Sequence, residues 1–159
     1  MKIAIVTISI LSFFVFNSPS TLRVDESNSI INSDSSITIS ISVVGDLMCH
    51  APQFEYARVG KDSFDFSPVY RNVKKCLESS DFTFGNLETV TAGKENAVYT
   101  GYPFFNTPAS YLTALKDVGF DLLVTANNHS LDRSEKGILK TINEINSRDL
   151  KYVGTYTSQ

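Results

Sequence analysis

The stretch Phe120-Asp121-Leu122-Leu123-Val124-Thr125-Ala126-Asn127-Asn128-His129-Ser130-Leu131-Asp132 decides how this chain reads. Leu122-Leu123-Val124 has the length and composition of a buried parallel strand. The segment then turns to Asn127, Asn128, His129 and Asp132, four side chains with lone pairs to offer. In open α/β sheets, ligands bind outside the carboxyl ends of the strands, so a strand ending in such donors marks an active edge. Two earlier stretches repeat the pattern: Val43-Val44-Gly45-Asp46 ends in a carboxylate, and Phe82 to Glu88 ends in Asn86 and Glu88. Three donor-bearing strand exits are expected to converge on one site.

The 159 residues are 42% hydrophobic and 19% charged, with a net charge of -3. That size supports one domain with a self-sufficient core. The mild acidity and the lack of any Lys or Arg cluster exclude a nucleic-acid surface, which needs a basic stripe. Residues 1–20 read as a signal peptide or N-terminal anchor. Met1-Lys2 precedes an apolar run, Ile3 to Phe16, shorter than the roughly 20 residues of a spanning helix. Residues 21–36, rich in Ser, Asn and Asp, read as a disordered linker. The folded domain is expected over 37–159, outside the cytoplasm, secreted or anchored at the cell surface. Cys49 and Cys76 are the two cysteines, read as separate thiols and not a disulfide, with Cys76 on the apolar face of a helix.

Along the domain, Ile37, Ile39, Ile41 and Val43 alternate with Thr38, Ser40 and Ser42, which is strand writing. An aromatic-rich loop follows Asp46. Ser67-Pro68 then opens a helix with Ser67 as cap, burying Val69, Val73, Cys76 and Leu77 and ending near Ser79-Ser80. A second strand is predicted over 81–87, and a polar loop with Tyr99, Tyr102, Phe104 and Phe105 over 89–106, placed to cover the site or bind a partner. Thr107-Pro108 repeats the helix opening, and Gly119 stops that helix. A third strand begins at Phe120, a helix runs over 134–147 with Ile138, Ile142 and Ile145 on one face, and Tyr152-Val153-Gly154 starts a fourth strand. The order β-α-β-α-β-α-β predicts a parallel sheet.

Carboxylates, amide oxygens and imidazoles on rigid elements are what a dinuclear metallohydrolase needs. Two cations about 4 Å apart activate a water and neutralise an oxyanion. Asp46, Asn86, Glu88, Asn128 and His129 are donors of that kind. Cys49 next to His50 falls short of a tetrahedral zinc site.

Val44-Gly45-Asp46-Leu47-Met48, Asn86-Leu87-Glu88 and the block from Gly119 through Ala126-Asn127-Asn128-His129-Ser130-Leu131-Asp132 resemble the capsule synthesis protein CapA (PgsA) family, of the calcineurin-like metallophosphoesterase superfamily. Gly137 to Thr141 and Tyr152 to Thr155 fit the family's continuation, so the likeness runs from about Ile39 to Thr155. It implies a parallel-sheet metallophosphatase-like α/β sandwich, truncated to its N-terminal half. It also implies a role in poly-γ-glutamate capsule or cell-surface polymer biosynthesis. Divalent metal (manganese, iron, zinc or magnesium) would be the cofactor. Membrane subunits of capsule synthesis and an anionic polymer or phosphoryl substrate would be the partners.

Carried over by position, the resemblance makes Asp46 a first-strand metal ligand and gives Asn86 and Glu88 the second acidic motif. Asn128 would bind metal or oxyanion. His129 would ligate and serve as the catalytic imidazole beside the leaving group. Asp132 would orient His129 or cap the next helix. Met48 stands where many phosphoesterases carry a His, and His50 and His129 are the chain's only histidines. The superfamily's later His ligands have no counterpart in this chain. An inert membrane-associated accessory or polymer-binding subunit, or a fragment needing a C-terminal half, is the alternative to a metal-dependent phosphoesterase-like hydrolase.

Overall fold

A run of β-branched residues gives the chain its first extended element, and three more strands line up beside it in sequence order. The computed structural model describes residues 36–158; the proposed signal segment and nearly all of the linker lie outside them. Four strands, β1 (Ile41–Asp46), β2 (Phe82–Asn86), β3 (Leu122–Val124) and β4 (Lys151–Val153), form one sheet in the order β1-β2-β3-β4. Each neighbouring pair is parallel, as the alternation of strand and helix predicts. Parallel register places all four carboxyl ends along one edge, where Asp46 pairs with Asn86 and Asn86 with Val124. The β1–β2 register shifts between Val44 and Asp46.

The helices are α1 (Ala51–Tyr56), α2 (Ser67–Tyr70), α3 (Lys74–Glu78), α4 (Ser110–Asp117) and α5 (Ser134–Asn146). The core gathers Leu112 and Leu115 of α4, Ile145 of α5 and Phe54 of α1 with Leu123 of β3, and Val44 and Tyr152 pack against it. The core-facing sheet positions are thus Val44, Gly85, Leu123 and Tyr152, aligned across all four strands, with Gly85 and Leu123 buried and Val44 and Tyr152 half-buried. Burying each such Leu or Ile contributes about 2 kcal/mol before conformational entropy is subtracted. Among the described residues no helix is long and apolar enough to cross a membrane.

Several elements form as the sequence predicts. Leu112, Leu115, Val118, Ile142 and Ile145 are buried, and Ile138 is half-buried. Gly119 takes a left-handed φ of 102° after α4, which a residue with a Cβ adopts only under strain. Gly154, at φ 117°, follows β4 so closely under the β3 exit that an added Cβ would lie 2.7 Å from Ala126 N.

Other expectations are corrected. The stretch after Asp46, read as a loop, holds α1, whose Gln53 side chain reaches back to the His50 N–H. The single helix over 67–79 is two short ones. Val69 and Cys76 are exposed, and Val73 and Leu77 only half-buried. Aromatic packing prevails here: Phe66 and Tyr70 sit 5.2 and 6.4 Å from Tyr111 and take the core position. Ser67 does not cap α2: Phe66 holds the cap position without a side-chain hydrogen bond, and Asp65 accepts from Ser67 N at 2.9 Å. Thr107 does not cap α4 either, because its hydroxyl shares a buried hydrogen bond with Thr89. Both cysteines are free thiols, Cys49 buried and Cys76 exposed. Burial pushes the Cys49 thiol up to about 12, which keeps it protonated and a poor zinc ligand.

Candidate metal-binding rim

The polar side chains at the strand exits form one continuous hydrogen-bonded chain. Asn86, at the end of β2, donates through Nδ2 to Asp46 Oδ1 at 2.9 Å and to Glu88 Oε2 at 3.0 Å. One amide therefore bridges two carboxylates from different exits. Its own Oδ1 accepts from Asn127 Nδ2 at 3.0 Å, and Asn127 also donates to the Leu87 carbonyl at 2.9 Å. Asn127 Oδ1 in turn receives the His129 N–H at 3.0 Å. The three exits converge, as their sequences predict.

At the His129 end the rim is closed and rigid. His129 Nδ1 lies 2.8 Å from Asp132 Oδ2, and the two side chains are only 10% and 7% exposed. The same Asp132 oxygen accepts the Phe105 N–H at 2.6 Å. An Asp acceptor at Nδ1 favours the tautomer that leaves Nε2 as the working nitrogen. Asp132 thus takes the orienting role and not that of helix cap, which falls to Arg133 without a side-chain hydrogen bond. Phe105 stands edge-on to His129 at 4.7 Å and to His50 at 5.0 Å, while exposed Tyr102 reaches within 6.5 Å of His129. The 89–106 segment therefore does cover the imidazole. Its anchor is the buried Asn106, which binds Ala92 N and the carbonyls of Ala97 and Gly93. Arg133 adds a second tie, donating to the Phe104 carbonyl.

At the Asp46 end the rim is open. Asp46 is exposed, Glu88 half-buried, and Asn128 exposed with no side-chain hydrogen bond among the described residues. Burial, and then the adjoining Asp46 carboxylate, push the Glu88 carboxyl above its ordinary value, while the charge of His129 opposes them. Two like charges held together are what a bound cation relieves. The donor types, carboxylate and amide oxygen, fit a hard divalent ion. Their number does not complete a two-metal site: among the described residues no three His, Cys, Asp or Glu side chains gather to hold a metal. As the hydrogen bonds stand, an Asn86 N–H occupies the position between the carboxylates.

Asn127 is the residue that sequence reasoning passed over in favour of its neighbour Asn128. The available signal was its place as the first polar residue past the strand, where a side chain can still reach the adjacent exit. His50 lies outside the hydrogen-bonded chain and touches it only through Phe105.

The chain is 31% identical over 120 residues to the capsule biosynthesis protein CapA of Bacillus anthracis, covering 73% of this chain and 28% of that protein. It is 26% identical over 117 residues to the PGA biosynthesis protein CapA of Bacillus subtilis (strain 168), covering 73% and 30%. An uncharacterized Sinorhizobium fredii protein, y4sH, is 30% identical over 98 residues, covering 58% of this chain and 21% of that one. The chain thus spans less than a third of the length of these relatives. The family described as "Bacterial capsule synthesis protein PGA_cap" matches residues 40–159, the whole region that carries the sheet and its rim, and the chain belongs to that family.

Proposed function

We propose that this chain serves capsule or cell-surface poly-γ-glutamate biosynthesis outside the cytoplasm, as a metallophosphatase-type domain whose strand-exit rim binds a divalent cation. The observation that carries the reading is the unbroken run of hydrogen bonds from Asp46 through Asn86 and Asn127 to His129 and Asp132. Asp46 and Glu88, with the amide oxygens of Asn86 and Asn128, would hold a manganese, iron, zinc or magnesium ion, which leaves the imidazole of His129 for proton transfer. That ion would supply charge neutralisation for an oxyanion of a phosphoryl or carboxylate substrate.

The chain's own residues do the rest. Asp132 fixes the His129 ring, so that Nε2 of the doubly protonated imidazolium would hand its proton to a departing oxygen without reorienting, the Nδ1 proton staying hydrogen-bonded to Asp132. Phe105, fully buried against that ring, keeps water from its face. The exposed amide of Asn128 is free to donate to an oxyanion.

The second reading is an accessory subunit that binds anionic polymer or membrane partners of the synthesis machinery without turnover. The two carboxylates and single imidazole of the rim favour it, since they fall short of a two-metal set. Metal content and phosphodiesterase activity of the purified chain, beside those of the Asp46→Ala/His129→Ala double variant, separate the readings. Metal uptake with hydrolysis lost in the variant supports the enzyme. Metal uptake without hydrolysis supports the accessory role. Absence of metal from the wild type rejects the metal-binding rim.

A further inference from the structure

The segment over His129 buries one ring and shows its neighbours to solvent. Phe105 is fully buried, while Phe104 is 60% exposed and Tyr102 73%. Leu131, two residues past His129, is 66% exposed. Apolar side chains exposed singly are ordinary, but several on two segments tied together beside an imidazole are a candidate binding surface. The backbone that carries the rings is held from beneath. Thr100 and Asn106 pair through their backbones at 3.1 and 3.0 Å, closing the segment into a narrow loop. Gly101 presses on the start of α1, where an added Cβ would lie 2.6 Å from Ala51 N. The Arg133 guanidinium donates to the Phe104 carbonyl at 2.6 Å and to the Thr100 hydroxyl. None of these ties uses the ring of Tyr102 or Phe104.

One atom sets where this loop stands relative to the imidazole. Asp132 Oδ2 accepts the Phe105 N–H at 2.6 Å and lies 2.8 Å from His129 Nδ1, so the loop and the imidazole share one frame. Within that frame the Tyr102 ring stands 6.5 Å from the His129 ring at 72°, an edge contact that leaves most of the tyrosine to solvent. Shielding His129 needs only Phe105; two further rings held out in water are surface that a ligand's apolar group can cover. The rim is therefore graded, with the Asp46 and Glu88 carboxylates at one end and uncharged Tyr102, Pro103 and Phe104 at the other. Binding sites that pair a few polar groups with an aromatic wall orient a ligand in this way. We infer that Tyr102, continued by Phe104, is the wall that binds the organic substituent of the rim's ligand, which is a phosphoryl compound bearing an aromatic or other flat apolar group. This assignment depends on the rim being a cation-dependent oxyanion site, as proposed above, and names what the ligand carries besides its oxyanion.

Phosphonates read binding whether or not the chain turns a substrate over. Titrated into the full chain in excess magnesium and followed by phosphorus NMR, phenylphosphonate should bind about fivefold more tightly than methylphosphonate. Tyr102→Ala should cut that ratio to about two or less, with methylphosphonate affinity showing that the fold is kept. Tyr102→Phe should retain the full preference, because the ring and not the hydroxyl makes the contact. Equal affinities in the wild type, an unchanged ratio in Tyr102→Ala, or its loss in Tyr102→Phe would overturn the inference and leave the oxyanion site standing. Binding of neither phosphonate by the wild type would reject the oxyanion site, and the wall with it.

Discussion

The two ends of the rim are built from the same kinds of side chain and behave as opposites. Around His129 the ring and its turn are held by fixed partners: Asp132 serves both the imidazole Nδ1 and the Phe105 N–H, and Asn127 ties the turn to β2. Around Asp46 two carboxylates share one amide, and burial and mutual repulsion push Glu88 up. The contrast teaches which half the fold completes by itself. The histidine end is preorganised by buried hydrogen bonds, while the acidic end keeps an electrostatic strain that a cation would relieve.

The largest effect is expected at the closed end. Asp132→Ala strands the His129 Nδ1 and the Phe105 N–H in a nearly buried setting. It should cost about 3 kcal/mol in urea unfolding, against a much smaller loss for Asp132→Asn, which keeps one acceptor. Next, Asn127→Ala removes the link between the β2 and β3 exits and should cost about 2 kcal/mol by the same measurement. If either change proves neutral, the closed end is not the rigid half.

The open end should respond weakly, and with the opposite sign. Asp46→Asn, on an exposed side chain, should shift metal-free stability by no more than about 0.5 kcal/mol. Glu88→Gln should raise the melting temperature at neutral pH by about 1–3 °C. The sign follows from the raised carboxyl: folding is favoured while Glu88 is protonated and that advantage is lost as pH rises through the folded value. The gain from Glu88→Gln should therefore vanish below the ordinary carboxylate range, about pH 4. A melting gain that persists there would assign it to packing instead of charge.

Much of this was legible in the chain. The parallel sheet, the convergence of Asp46, Asn86 and His129, and helices α4 and α5 follow from strand exits and from apolar spacing that the core honours. The misreadings share a cause: a side chain's partner depended on contacts distant in sequence. Val69 and Cys76 have helical spacing, yet Phe66 and Tyr70 won the core by reaching Tyr111. Asp132 precedes a helix, yet its carboxylate found His129 and the Phe105 backbone. Period-two writing gave β1 its strand but not which side faced the helices: Ile41 and Val43 are exposed, and Ser42 and Val44 are half-buried. The choice of Asn127 over Asn128 was set by the distance to Asn86, which no local pattern encodes.

Manganese titration of the metal-free chain, followed by the loss of the free-ion electron paramagnetic resonance signal, tests the acidic rim most directly. One ion should be taken up per chain, with uptake abolished in Asp46→Asn and unaffected in Cys76→Ser. Undiminished binding by Asp46→Asn, or none by the wild type, would contradict a cation site at the meeting of the strand exits.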